Sequence, residues 1–186
     1  MFFHTLPKLY VGDKMNLIWY LLFYSFLGFC AEVVFARVTH SGKQNRKCLL
    51  FLPLCPVYGI GAAAIVSLPQ AIASHPLLLF FVSAVIASAA EYGMSLFYER
   101  VWGVSFWNYA NLPGNFHGRI CPAFSLIWGG LGLALTYLIH PIIAGIAARF
   151  PPFLAIPALL LFIIDFTLTT VLLRESHNTD DLIWYR

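Results

Sequence analysis

Five long apolar runs divide this sequence, and they restrict its fold more than any other feature. Each run is close to the roughly 20 apolar residues that a helix needs to cross a bilayer. The chain is 60% hydrophobic and 10% charged, whereas a soluble domain carries about a quarter charged residues. The sequence therefore predicts one integral membrane domain over residues 1–186, an all-α polytopic helix bundle in contact with the lipid bilayer. The predicted transmembrane helices are about 16–38, 55–73, 76–98, 122–140 and 152–173.

One proline makes a helix boundary ambiguous, and two others lie near the ends of the second run. His140-Pro141 follows the fourth run, so residues 141–148 either continue that helix past a kink or form a short interfacial piece. The second run carries Pro56 near its start and Pro69 near its end.

The distribution of positive charge predicts the orientation of the bundle. With five spans, the first and third loops share a side with the C-terminus; that side holds eight Lys and Arg residues and the other side three. Because cytoplasmic loops carry the excess of Lys and Arg, we expect the C-terminus in the cytoplasm and the N-terminus outside. The eight residues are Arg37, Lys43, Arg46, Lys47, Arg100, Arg119, Arg174 and Arg186, and the three are Lys8, Lys14 and Arg149.

Acidic residues inside three apolar runs predict where a functional site lies. A carboxylate at membrane depth costs about 2.5–3.5 kcal/mol on insertion scales, so it is retained where it faces protein, water or a partner charge. Glu32, Glu91 and Asp165 all fall in the predicted cytoplasmic halves of their helices, each on a stripe of small or hydroxylated residues. Two interpretations stay open for each acid: a structural partner of a nearby arginine, or part of a site.

The predicted site combines these acids with polar loop residues. Glu32 and Glu91 are assigned the chemical role, as proton or cation sites or as a general base. The segment Trp102–Cys121 mixes Trp, Asn, Pro and Gly, a composition that suits a re-entrant loop lining a polar cavity. We expect Arg46 and Arg119 to converge with both glutamates beneath this loop. The complete set of predicted binding residues is Asn45, Arg46, Trp107, Asn111, Arg119 and Asp165.

An internal echo supports one shared site. The order acid, arginine, Cys-Pro and glycines runs from Glu32 through Cys55-Pro56, and again from Glu91 through Cys121-Pro122. It predicts two parallel helix-hairpin repeats plus a fifth helix, with chance similarity between two apolar hairpins as the alternative.

Several functions are disfavoured by what the sequence lacks. It contains no GxxxxGK[ST], CxxC or HExxH, so we expect no P-loop nucleotide, no metal and no other cofactor. No basic patch interleaved with aromatics indicates nucleic acid.

Four stretches together resemble a known family: YSFLGFCAEVVF, PLCPVYGIGA, EYGMSLFYERVWGVSFWNYAN and GRICPAFSLIWGGLG. They are similar to the putative ABC-transporter type IV (CmpB-like) family of bacterial membrane proteins, over about residues 17–141. The resemblance implies a multi-pass protein of the bacterial cytoplasmic membrane and, without a P-loop here, a separate ATP-binding chain. The residues that match the family's motif positions are Glu32, Arg46, Glu91, Trp107 and Arg119.

Three function classes remain on sequence grounds. The first is a transporter or permease-like protein with a cytoplasm-facing polar cavity, for which a homodimer would widen a narrow five-helix pathway. The second is an integral membrane enzyme that acts on a lipid or other amphiphile at the cytoplasmic interface. The third is a non-catalytic helper subunit of a membrane complex. The substrate, whether small molecule, ion or lipid, is not named by the sequence.

Overall fold

The computed structural model describes residues 14–41 and 46–183, and within these ranges it contains helices and no strand. A five-residue π-helical turn, Tyr98–Trp102, extends the fourth helix, and another, Leu135–Ile139, joins the fifth helix to the sixth. Short 3-10 turns lie at Pro152–Leu154 and Thr179–Leu182. The α-helices are α1 (Lys14–Val38), α2 (Pro56–Val66), α3 (Gln70–Ala73), α4 (Pro76–Phe97), α5 (Pro122–Ala134), α6 (His140–Ala147) and α7 (Ala155–Ser176).

Four helical stretches of the described residues are long and apolar enough to cross a membrane, which confirms the predicted polytopic helix bundle. They are Asn16–Val38, Pro76–Trp102, Pro122–Ala147 and Ala155–Ser176. His140-Pro141 does not end the third of them. The π-turn stands directly before this pair, where a proline ring displaces the regular helical hydrogen bonds, and α6 continues the span.

The second predicted span is shorter than expected. It was predicted over 55–73, but α2 ends at Val66 after 11 residues, a length of about 16 Å at 1.5 Å per residue. Pro69 follows within three residues and disfavours helical backbone in the residue before it. The four-residue α3 is therefore a separate turn, and α2 alone is about half as long as a bilayer core is thick.

A non-helical segment, residues 46–55, brings the chain to the start of α2. We call it the re-entrant segment. The Cys55 N–H donates to the Ser25 carbonyl at 2.9 Å, and Ser25 lies near the middle of α1. The backbone thus returns alongside the helices to mid-bundle before α2 begins. This part of the bundle therefore consists of an irregular segment followed by the short helix α2.

Two hydrophobic clusters identify the ends of the bundle. One packs Leu49 against Tyr98, Trp102 and Leu173, where α4 and α7 finish. We call this the loop end, since residues of the 46–55 and 103–121 segments pack together there. The opposite end packs Trp19 at the start of α1 against residues that end α6 and begin α7.

Glycines allow the helices of each hairpin to approach closely. A Cβ built on Gly59 would lie 2.5 Å from the Leu21 carbonyl oxygen of α1, and one on Gly28 would lie 2.3 Å from the Tyr58 ring. In the second hairpin, a Cβ on Gly132 would lie 2.3 Å from Ser83 of α4. Small residues at such contacts are typical of membrane helix packing.

Candidate functional site

The re-entrant segment is held at its depth by α7. Asp165, near the middle of α7, accepts the Phe51 N–H at 3.1 Å and the Leu52 N–H at 2.7 Å. One turn further along, Thr169 Oγ1 accepts the Leu50 N–H at 2.9 Å. Asp165 is 3% exposed, so this carboxylate replaces the water that backbone N–H groups lack at membrane depth. Asp165 therefore lies against the backbone of the re-entrant segment, and it does not line the cavity described next.

A cavity of about 490 Å³ opens between α1, α2, α4 and α5, and we call it the Glu91 cavity. Its apolar part is lined by side chains such as Leu27 and Leu131, and its polar part lies toward the loop end. Four of the residues predicted for the site line it: Glu32, Arg46, Glu91 and Trp107.

Glu32 and Arg46 form an ion pair on one wall of the cavity. Their closest atoms, Arg46 Nη1 and Glu32 Oε2, are 3.4 Å apart. The Tyr58 hydroxyl of α2 donates to Glu32 Oε1 at 2.5 Å, and Arg46 Nη2 donates to Ser41 Oγ at 2.9 Å. The acid of α1 is thus neutralised by the arginine that opens the re-entrant segment.

Glu91 lies across the cavity in a different environment. It is 5% exposed, and its two carboxylate oxygens accept the Tyr109 hydroxyl at 2.7 Å and the Trp128 indole N–H at 3.1 Å. In the described part of the chain, Lys and Arg form ion pairs with Glu32 and Glu99 but not with Glu91. Among the described residues, Glu91 therefore has neutral hydrogen-bond donors and no positive partner.

Tyr109 connects the 103–121 loop to this carboxylate. Burial, together with the charge of neighbouring Glu91, raises the pKa of the Tyr109 hydroxyl well above its ordinary value. The hydroxyl therefore stays protonated and donates. Its ring stacks on Phe124 of α5 with centroids 4.7 Å apart. The loop is held by its own side chains: Asn115, for example, donates to the Leu112 carbonyl at 2.9 Å.

Arg119 does not join the glutamates of the cavity, contrary to the expectation from sequence. Its guanidinium pairs with Glu99, at the end of α4, and lies 5.5 Å from the centre of the Tyr92 ring. Glu99 lines a separate cavity of about 300 Å³, and Trp107 lies between the two cavities and lines both. The Trp107 indole donates to the Arg119 carbonyl at 3.1 Å. Arg119 thus supports the loop through its backbone and its pair with Glu99.

Two further predicted binding residues are Asn111, which lies away from the cavity, and Asn45. Asn111 is exposed at the tip of the 103–121 loop. Asn45 falls outside the described residues, so its predicted role stays a prediction.

Three aromatic residues of the site were missed from the sequence as site residues: Tyr58, Tyr109 and Trp128. They bring the O–H and N–H groups that bind Glu32 and Glu91. A usable signal exists, because a Tyr or Trp buried among apolar helices needs a partner for its polar tip, and an acid in the same hairpin is an obvious candidate.

Charged and aromatic groups line the cavity together. Among the residues described, no three His, Cys, Asp or Glu side chains are grouped to hold a metal ion. Glu32 is paired with Arg46, whereas the Glu91 carboxyl group lies beside the rings of Tyr58, Trp128 and Tyr109 and accepts hydrogen bonds from neutral donors.

The fold and the cavity define a class: a multi-pass helical membrane protein with a cavity between its helices that two carboxylates line. The particular family follows from comparison. Residues 19–170 match the family described as putative ABC-transporter type IV, and the chain belongs to that family, as the sequence motifs predicted. Searches of curated proteins and of solved structures find no match to the chain.

Proposed function

We propose that this chain is the membrane-spanning component of a transport system and that its substrate binds in the Glu91 cavity. The observation that carries the proposal is the composition of this cavity at membrane depth: a buried carboxylate, an ion pair and a re-entrant backbone segment line one space. Ionisable groups among membrane helices are costly and typically mark the path of a substrate or an ion.

The re-entrant segment and the short helix α2 that follows it support the same interpretation. Irregular backbone within a membrane is tolerated where it is buried in protein or lines a water-filled cavity, and the re-entrant segment contributes Arg46, Cys48 and Cys55 to the cavity wall. Discontinuous helices that begin near the bilayer midplane are a recurring way to build transporter binding sites. Here α2 begins at Pro56, directly after Cys55 of the cavity wall.

The proposed orientation places the loop end in the cytoplasm, from the eight-to-three distribution of Lys and Arg. An Asn111→Cys variant at the loop end should resist a membrane-impermeant maleimide in intact cells, while Arg149→Cys at the opposite end should react. Both positions are exposed, so the pair is matched for access. The reverse labelling pattern would invert the orientation and open the cavity to the outside.

The energy source would be a separate ATP-binding chain. The family description names an ABC transporter, and the sequence itself has no GxxxxGK[ST] motif, the loop that cradles nucleotide phosphates in such ATPases. The assembly would then contain this chain for passage and a partner for hydrolysis.

The test uses membrane vesicles from cells that produce the chain with its native partners. Vesicles with wild-type chain, with Glu91→Gln, or with Glu175→Gln are supplied with ATP and a mixture of small cations, anions, zwitterions and amphiphiles, and solutes retained inside are measured by mass spectrometry. Glu175 is an exposed carboxylate at the end of α7, so its variant removes the same charge outside the cavity.

We expect at least one solute to accumulate, with unchanged mass, in wild-type and Glu175→Gln vesicles and to fall toward background in Glu91→Gln vesicles. Equal accumulation with wild-type chain and with Glu91→Gln would remove the cavity from the transport path. Products of altered mass that depend on Glu91 would instead identify an enzyme acting at the same site.

A further inference from the structure

The charged groups and aromatic rings that line the Glu91 cavity indicate which chemical class of ligand it binds. We propose that the cavity binds an amphiphilic organic cation, whose ammonium-like group sits between Glu91 and the surrounding aromatic rings and whose apolar body fills the rest of the space. This inference rests on the proposed transport site but is tested separately from transport.

The first argument is charge complementarity. Among the described residues, Glu32 has a positive partner 3.4 Å away in Arg46, whereas the partners of Glu91 are the neutral donors Tyr109 and Trp128. A cation would supply the missing charge. An anion would meet an unpaired carboxylate in a space of low dielectric, where the repulsion is strong.

The second argument is the aromatic enclosure of the carboxylate. The Tyr58 and Trp128 rings meet edge to face with centroids 5.7 Å apart, and Tyr109 stacks on Phe124 on the other side. Aromatic faces attract cations, and quaternary ammonium groups are recognised by cages of such rings. Both indole and phenol groups here line the cavity.

The third argument is the shape of the space. A volume of about 490 Å³ lies within the range of small-molecule sites, roughly 300–1,000 Å³. Its apolar walls extend from the carboxylates along α1 and α5, as far as Tyr24 and Ile139. A ligand that reached Glu91 with its charge would therefore place an apolar body along these walls.

The fourth argument concerns the route of entry. α1 packs on α2, α6 and α7, whereas α5 packs on α4, so the cavity between α1 and α5 has a side that faces lipid. Wall residues on that side are partly exposed: Leu27 and Phe35 on α1, and Ile127 and Leu131 on α5. The ligand class this favours is one that partitions into the membrane and enters sideways.

The test compares ions of matched shape and opposite charge on the wild-type chain in nanodiscs of neutral phosphatidylcholine. Radiolabelled tetraphenylphosphonium is the cation, tetraphenylborate the anion, and tetramethylammonium a cation without an apolar body. Binding is measured by equilibrium dialysis against empty nanodiscs and by quenching of tryptophan fluorescence. We expect saturable binding of tetraphenylphosphonium, at least tenfold weaker binding of tetramethylammonium, and no saturable binding of tetraphenylborate.

Variants then assign the binding to the cavity. Glu91→Gln should weaken tetraphenylphosphonium binding at least tenfold, while Glu175→Gln should leave it within twofold of wild type. Saturable binding of tetraphenylborate at equal or greater strength, or an unchanged affinity in Glu91→Gln, would overturn the proposal. The comparison of ions needs only the wild-type chain. The proposal can therefore be overturned even if the Glu91→Gln variant fails to fold.

The two proposals fail in different ways. If vesicles accumulate only anions or neutral solutes, transport stands and the cation assignment is wrong. If tetraphenylphosphonium binds through Glu91 and yet no solute accumulates, the binding site stands and the transport function is wrong.

Discussion

The hairpins α1–α2 and α4–α5 share an order of residues but use it differently. In the first, the acid Glu32 pairs with Arg46 from its own loop. In the second, Glu91 takes neutral donors while the loop arginine, Arg119, pairs with Glu99. Each second helix begins in the same way, with an extended cysteine followed by proline at the first helical position. The comparison teaches that the same order of residues can give one acid, Glu32, a positive partner and give the other acid, Glu91, neutral hydrogen-bond donors.

The two connections also differ in what holds them. The re-entrant segment of the first hairpin depends on Asp165 from a distant helix. The 103–121 loop of the second depends on local bonds such as those of Asn115, which also accepts the Gly118 N–H at 3.0 Å. One connection is therefore tied to the whole bundle, and the other is largely self-supporting.

The largest effect should come from breaking the first of these supports. Asp165→Ala removes the acceptor of two backbone N–H groups at membrane depth, at about 1–3 kcal/mol for each, and should lower the melting temperature in detergent strongly. Asp165→Asn keeps one acceptor oxygen and should lie between alanine and wild type. Asn115→Ala, in a loop open to water, should have a small effect. Equal decreases in melting temperature for Asp165→Ala and Asn115→Ala would contradict the difference in how the two connections are held.

A second, smaller effect should follow from closing the helix contacts. Gly59→Ala would force a methyl to within 2.5 Å of the Leu21 carbonyl oxygen, and Gly132→Ala to within 2.3 Å of Ser83. Overpacking of this kind costs about 1–3 kcal/mol, so both variants should melt earlier than wild type.

Gly130 supplies the matched control for these contacts, since nothing lies within 4 Å of a Cβ built there. Gly130→Ala should be neutral or stabilising, because alanine favours helix over glycine by about 1 kcal/mol. If Gly130→Ala were as damaging as Gly132→Ala, helix packing would not explain the glycines.

The smallest effects concern the charge pairs, and double-mutant cycles on the free energy of unfolding measure them. Glu32–Arg46 and Glu99–Arg119 are in contact and should show coupling on the order of 0.5 kcal/mol or more. Glu91 and Arg119 have separate partners and should be additive within about 0.3–0.5 kcal/mol. Coupling between Glu91 and Arg119 would restore the single four-residue site expected from the sequence.

Glu91→Gln should cost less stability than Glu32→Gln in the same series. A glutamine at 91 can accept the Trp128 N–H with its oxygen and donate its amide to the Tyr109 oxygen, so both neighbours keep a partner. A glutamine at 32 leaves the Arg46 charge without its carboxylate. A larger loss of stability in Glu91→Gln than in Glu32→Gln would contradict the difference between the two hairpins.

Much of this protein followed from its sequence. Apolar runs of bilayer length, broken by loops with few charges, permit little except a helix bundle in a membrane, because such surfaces are not stable in water. The cost of carboxylates at depth pointed to Glu32 and Glu91, and the structure brings both, with Arg46 and Trp107, to the wall of one cavity. The repeat of the two hairpins remains a prediction.

Only the tertiary structure decided how these groups are partnered. Pro69 marks the early end of α2 in the sequence, but the re-entrant segment that precedes this short helix could not be predicted, since it depends on hydrogen bonds to Asp165, more than a hundred residues away in the chain. Nor could sequence order tell which acid each arginine meets, because ion pairing depends on distances of a few ångströms between side chains from different helices. The pairing of Arg119 with Glu99, and the neutral donors that bind Glu91, were set by packing.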